Sequence, residues 1–373
     1  MGNTCNELLE YCLRGEPWPD DLLRRALAVD DGRAFLSVVV ERLGDLFEPK
    51  LCHTYDRLFT EAILLTAREL VPRIRKSTSP AAPPLSASRV YVLSRITLGA
   101  DVAVTSVLMD AAKRRYSNAE ILFVGPRKSY ELFEADPRIK HHPAPYARSG
   151  ALKDRLQASA SLWFEDGIVI DPDSRLSQLG LISVCEEYNY FHFPSRAYGG
   201  DSYDPLPTLA ARWAREVFGI EGARPYVVPL TSPEPPSDIT ISLGVGENDA
   251  KRLSDEQERH LLAALAEAGA SILVDKGGSA EERERVERAL LPGMRTHDGP
   301  FAPFASQIAR SKLFVGYDSA GGHVASASGV PLISIAKGFV SERMAARWRP
   351  NGIVLTESEV AQVQNVARNL LST

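Results

Sequence analysis

The sequence has little of what marks several functional classes. Its four cysteines, Cys5, Cys12, Cys52 and Cys185, are scattered over 373 residues without a C-x-x-C pair. That spacing excludes a disulfide framework and a cysteine-based zinc site, and it fits a reducing compartment. No run of about 18 apolar residues occurs, so no membrane-spanning helix is expected. The N-terminus lacks a basic start followed by an apolar core, so no secretory leader is expected either and the chain reads as cytoplasmic. Basic stripes are also missing. The formal net charge is −5, and the short clusters Arg73, Arg75, Lys76 and Lys113-Arg114-Arg115 read as solvated helix ends, which argues against a nucleic-acid partner. His141, His142 and His192 have no carboxylate at ligand spacing, so neither a metal nor another cofactor is called for.

What is present is material for more than one core. A hydrophobic content of 44% with 24% charged residues is that of a globular chain too long for one typical domain. Residues 1–76 carry helical periodicity and little β signal. Helices are expected at Leu8 to Cys12, Asp20 to Val29, Ala34 to Phe47 and Cys52 to Ile74. Such amphipathic helices need a partner surface, either the rest of the chain or a second copy in a homodimer. Residues 77–88, beginning Ser77-Thr78-Ser79-Pro80, read as an extended linker.

From 89 to 230 strands alternate with helices, at Val90 to Leu93, Ile121 to Val124, Gly167 to Ile170 and Tyr190 to Phe193. The prolines between Pro225 and Pro236 form a second break. Alternation restarts over 237–356, with strands at Ile239 to Leu243, Ser271 to Val274, Leu313 to Gly316 and Pro331 to Ile335. Such alternation implies parallel, doubly wound α/β sheets, and 357–373 closes the chain as a helix.

The most informative stretch runs from the strand Leu313 to Gly316 into Asp318-Ser319-Ala320-Gly321-Gly322-His323 and a helix. Beyond the carboxyl end of a parallel strand, a glycine-rich turn opening a helix presents free N–H groups to an anion. The spacing reads as a phosphate or sugar-nucleotide site; its bland alternative is an ordinary capped turn. Asp-Ser-x-x-x-His followed by small residues and Gly-Val-Pro resembles the nucleotide-sugar signature of the family 9 glycosyltransferases, typified by ADP-heptose lipopolysaccharide heptosyltransferases.

Further stretches share the resemblance, which extends over about 89–356. Arg95-Ile96-Thr97-Leu98-Gly99-Ala100-Asp101-Val102 is similar to the family loop Arg-x-Ser-Ser-x-Gly-Asp-Val. Asp101 then stands at the family's catalytic base, with Arg95, Thr97 and Gly99 beside the acceptor, and helix capping is the alternative for Asp101. Ala100 replaces the family's glycine and would be strained if φ were positive there. Gly244 and Lys251 resemble a donor-phosphate loop, Lys251 being otherwise a solvated loop lysine. Gly277 and Glu281, with Glu282 as the neighbouring candidate, resemble a nucleoside-binding turn, and Lys337 falls in the donor loop.

The resemblance implies a GT-B architecture of two Rossmann-like domains facing a cleft, preceded by the helical module, with the last helix packing back across the first domain. It also implies a metal-independent, inverting glycosyltransferase that moves a sugar from a nucleotide-diphosphate sugar, ADP-heptose being one candidate, to a glycan or other hydroxyl acceptor. Any membrane contact would be peripheral. Two other readings compete: a non-catalytic module that binds a nucleotide sugar or a protein, and a nucleotide-sugar 2-epimerase, which needs opposed carboxylates and a histidine around the sugar.

Overall fold

The computed structural model describes residues 2–76, 82–245 and 251–372. Part of the expected linker, 77–81, and the stretch 246–250 before Lys251 lie outside them. The N-terminal segment folds into α1 (Gly2–Arg14), α2 (Asp20–Ala28), α3 (Glu41–Asp45) and α4 (Pro49–Thr66). The single helix expected over Ala34 to Phe47 enters α3 through a π-type turn, Phe35–Val40, and ends at Asp45, two residues before Phe47, whose φ is +52°. The expected long fourth helix stops at Thr66, where Ala67 leaves helical geometry (φ −150°, ψ 60°), and a 3₁₀ turn, Arg68–Arg73, follows with Pro72 inside it.

These helices dock on the rest of the chain. Leu8, Phe35, Tyr55 and Phe59 share one core with Leu152, Leu156, Leu181 and Ile182. Arg73 crosses the seam, its guanidinium donating to the carbonyls of Ser183, Ala160, Ser159 and Leu162.

The first sheet holds β1 (Arg89–Leu93), β2 (Glu120–Gly125), β3 (Ile139–Pro143), β4 (Ile168–Asp171) and β5 (Tyr190–His192), all parallel, in the order β3-β2-β1-β4-β5. Alternate residues of β1 enter opposite cores, Val90 and Val92 on one face and Tyr91 and Leu93 on the other, as a sheet covered on both sides demands. Its helices are α5 (Leu98–Ala100), α6 (Ser106–Arg115), α7 (Arg127–Tyr130), α8 (Leu152–Ala160) and α9 (Leu206–Phe218).

The second sheet holds β6 (Ile239–Ser242), β7 (Ile272–Asp275), β8 (Arg295–His297), β9 (Leu313–Tyr317), β10 (Leu332–Ala336) and β11 (Ile353–Thr356), also parallel, in the order β11-β10-β9-β6-β7-β8. Helices α10 (Asp255–Ala266), α11 (Ala280–Ala289), α12 (Phe301–Ile308), α13 (Ala320–Ser328), α14 (Glu342–Trp348) and α15 (Val363–Leu371) accompany it.

Strands β3, β8 and β11, which sequence patterning misses, are all sheet edges. All three are short, and β3 and β8 are also largely polar and carry no apolar run to read, whereas β11 offers only Ile353-Val354-Leu355. The last helix does not cross to the first sheet. Val363 and Ala367 of α15 are buried against Leu261 and Leu265 of α10, on its own sheet. Instead α14 makes the crossing: the fully buried Arg347 donates to the carbonyls of Tyr198 and Gly200.

Candidate functional site

Each sheet has a switch point, where successive connections run in opposite directions: between β1 and β4 in the first and between β6 and β9 in the second. Loops at the carboxyl ends of such strands form the crevice that ligands use. The two crevices face each other. Thr97, Leu98 and Gly99 from the first sheet and Ser242, Gly244 and Asp318 to Gly321 from the second line one cleft of about 740 Å³.

The second wall is built around α13. Its first N–H groups have no partners within the helix, and its N-cap Ser319 makes no capping bond; the Ser319 hydroxyl is buried without a hydrogen-bond partner. Gly321 is required by packing, since a Cβ there would lie 2.5 Å from the Phe314 ring. Beside the helix start, Lys251 Nζ donates to Asp318 Oδ2 at 2.6 Å, with side chains only 16% and 10% exposed. A buried network holds this corner: Tyr317 donates to Glu258 at 2.7 Å and accepts from the Leu253 N–H, while Arg285 clasps Glu258 and the Leu243 carbonyl.

The cleft also receives Gly277 and Glu282. Gly277 has φ +81°, and Glu282 accepts from the Gly278 N–H at 2.8 Å. The expectation for Glu281 is corrected here: Glu281 is exposed, and its neighbour Glu282 lines the cleft. The two sit about 100° apart around a helix, so only one can face inward. Lys337 is a second correction. It pairs with Glu357 at 2.9 Å and does not line the cleft. Gly322 and His323 turn away from the cleft as well. His323 is buried against Trp348, ring centroids 5.9 Å apart, and burial lowers its pKa, so it stays neutral. A Cβ on Gly99 would approach His323 to 3.0 Å and Ala320 to 3.4 Å, so Gly99 lets α5 close on α13.

Asp275, at the end of β7, is a cleft residue that sequence reasoning missed. Burial raises its carboxyl to about 6, and the only signal was its place at a strand's carboxyl end. Tyr146 and Arg148 join from a loop with no motif of its own.

On the first wall, the backbone strain falls at Ile96 (φ +73°), whereas Ala100 is an ordinary right-handed residue (φ −71°) and pays nothing for its methyl group. Asp101 lies beneath this loop, fully buried. Its carboxylate accepts from the Ser94 hydroxyl (2.7 Å), the Arg95 N–H (2.7 Å) and the Thr105 hydroxyl (2.8 Å). Burial raises its pKa despite these donors. In this geometry Asp101 braces the loop and does not line the cleft.

Arg95 donates to the Ser195 hydroxyl and the Pro172 carbonyl and lies 5.7 Å from the Trp348 ring. With Thr97 it lines a smaller pocket of about 90 Å³ at the first switch point, walled on its far side by the helical module. Thr97 and Tyr146 line both cavities.

No family model matches the chain, and no curated protein does. Solved structures do. The family 9 glycosyltransferase of Veillonella parvula is 17% identical, with 78% of this chain and 99% of that one covered and a TM-score of 0.55. E. coli heptosyltransferase WaaC, solved with ADP-2-deoxy-2-fluoro heptose, is 15% identical over 76% and 99% of the two chains, TM-score 0.56. E. coli ADP-heptose LPS heptosyltransferase II is 17% identical over 76% and 98%, TM-score 0.54. The chain has the fold of these glycosyltransferases. At this identity the likeness is one of architecture, two Rossmann-like halves across a cleft. Among the described residues no helix is long and apolar enough to cross a membrane.

Proposed function

We propose that the protein transfers a sugar, with inversion, from a nucleotide-diphosphate sugar bound in the large cleft to a hydroxyl acceptor bound on the first sheet's side. One observation carries this: the uncapped start of α13, with the partnerless Ser319 hydroxyl, lines the cleft, and Lys251, not itself a lining residue, reaches that corner through its pair with the cleft residue Asp318. Backbone N–H groups, the helix dipole and one lysine together suit a diphosphate. They supply the charge that a leaving nucleoside diphosphate needs, so the reaction proceeds without a divalent metal.

Asp275 and Glu282, at the end of β7 and the start of α11, are placed to accept from nucleoside hydroxyls. Thr97 and Arg95 face the acceptor. ADP-heptose is the first donor to try, because WaaC has been solved with ADP and with an ADP-heptose analogue. The test is incubation with ADP-, UDP- and GDP-sugars in EDTA, following release of nucleoside diphosphate and the anomeric configuration of the product by NMR. Release with an inverted product is expected; binding without release would leave a nucleotide-sugar binder. That second reading draws its support from the burial of Asp101, which leaves the expected base out of reach of substrate.

A further inference from the structure

Inverting transfer needs a general base within reach of the acceptor hydroxyl, a role a carboxylate suits, and the buried Asp101 is not in reach. The small pocket at the first switch point has three others: Glu41, Asp173 and Asp45. Two are committed. Glu41 is paired with Arg175 at 2.9 Å. Asp173 is held by Arg196, His192 and the Ser195 hydroxyl; burial pushes its carboxyl upward, but these partners outweigh burial and keep it ionised. Asp45 makes no hydrogen bond or ion pair among the described residues.

Asp45 ends α3, in the helical module, and lines this pocket together with Arg95, Thr97, Ala100 and Trp348. Thr97 is also a wall of the large cleft, so the pocket abuts the place where a donor sugar would sit. Two guanidinium atoms around the pocket, Arg95 Nε and Arg196 Nη1, are buried without partners. The cavity therefore presents donors for a polar acceptor beside one uncommitted carboxylate.

Resting on the transferase reading, we propose that Asp45 is the general base and that the helical module thereby completes the active site. Asp45 removes the proton from the acceptor hydroxyl as that oxygen bonds to the anomeric carbon. The bond from that carbon to the diphosphate oxygen breaks, and its electron pair leaves with the nucleoside diphosphate beside Lys251. The proton on Asp45 then returns to solvent.

The surroundings tune the group. Burial raises the Asp45 carboxyl above the usual range, Arg175, Lys251 and Arg148 pull it down and Glu41 pushes it up, with a net rise. Its place at a helix C-terminus acts in the same upward direction. Arg95, Arg155, Tyr55 and Tyr146 complete the ring of charged and titratable groups around the pocket, with the committed Asp173–Arg196 pair. A raised pKa makes a carboxylate a stronger base.

The experiment uses the full chain with ADP-heptose, UDP-glucose and GDP-mannose, water or an added glycan as acceptor, comparing native protein with Asp45→Asn and Asp45→Glu. Nucleoside diphosphate affinity is measured in parallel. Asp45→Asn should lose roughly 10²–10⁴-fold in kcat with unchanged nucleotide affinity, should lose the acidic limb of the pH–rate profile, and should recover partly as glutamate. An Asp45→Asn protein with native kcat overturns the assignment of the base alone. Native protein that binds nucleotide but releases none from any donor overturns it too, leaving a binding protein. Native protein that binds no nucleotide overturns the transferase reading and the base with it.

Discussion

Replacing Lys251 by alanine should separate two effects, one from its ion pair with Asp318 and one from the proposed diphosphate contact. Lys251 and Asp318 form a pair at 2.6 Å with little exposure on either side. Removing the lysine leaves the Asp318 carboxylate poorly solvated and unpaired, which costs on the order of 1–3 kcal/mol and lowers the melting temperature by about 1–2 °C per kcal/mol in a chain of this length. It also removes a charged contact to the diphosphate, worth roughly 1.5–3 kcal/mol, so Kd for the nucleoside diphosphate rises about ten- to hundredfold. The double variant Lys251→Ala with Asp318→Asn should recover the stability without the affinity, because the unpaired charge is gone but the phosphate contact is not restored. Calorimetry and thermal melting on the native protein and the two variants read both effects. A Lys251→Ala protein that binds nucleotide as tightly as the native one would refute the phosphate role, and a native melting temperature would refute the cost of the bared carboxylate.

Asp101→Ala should destabilise the protein by several kcal/mol, since three buried donors lose their acceptor at about 1–3 kcal/mol each; a urea midpoint unchanged from native would contradict the brace. Burial raises the folded Asp275 carboxyl to about 6, against 3.8 for an ordinary aspartate. Between those values the folded protein holds the extra proton, so stability falls as pH rises, by at most about 3 kcal/mol. Asp275→Asn should flatten that slope in urea titrations between pH 4 and 6; an unaltered slope would refute it. Gly99→Val should wedge α5 from α13, given the 3.0 Å approach of a Cβ to His323, and weaken nucleotide binding measured by calorimetry; native affinity would show that closure is not needed. Starting the chain near Ser86 should bare the core shared with Leu152, Leu156 and Ile182 and raise binding of a hydrophobic dye, whereas a soluble, equally stable fragment would mean that the module is not integral.

The strand-glycine-helix pattern at Asp318 to Gly321 was legible because its chemistry is local: strand end, helix start and small residues lie within a few positions. The alternation of strands and helices likewise announced two parallel sheets, missing only edge strands. Side-chain direction was less legible. Glu281 and Glu282 differ by one helical step, and His323 faces a neighbour that only tertiary packing supplies. The motif placed Asp101 in the loop after β1, but its burial depends on Ser94 and Thr105 folding around it. Contacts from the helical module were not legible at all. Arg343 reaches the Phe47 carbonyl across 296 positions, and Arg175 reaches Glu41 across 134. No local pattern records such pairings, so the module's part in the pocket emerges only from the folded chain.

The central claim is that the start of α13 and Lys251 hold a diphosphate with charge already built into the protein. Titrating ADP, UDP, GDP and CDP into the native protein by calorimetry, with EDTA and again with magnesium, tests it most directly. Saturable binding of at least one nucleotide with the same affinity in EDTA is the predicted result, accompanied at about 100 times Kd by roughly 2.7 kcal/mol of added stability. Binding that disappears in EDTA, or no binding by any of the four, would contradict it.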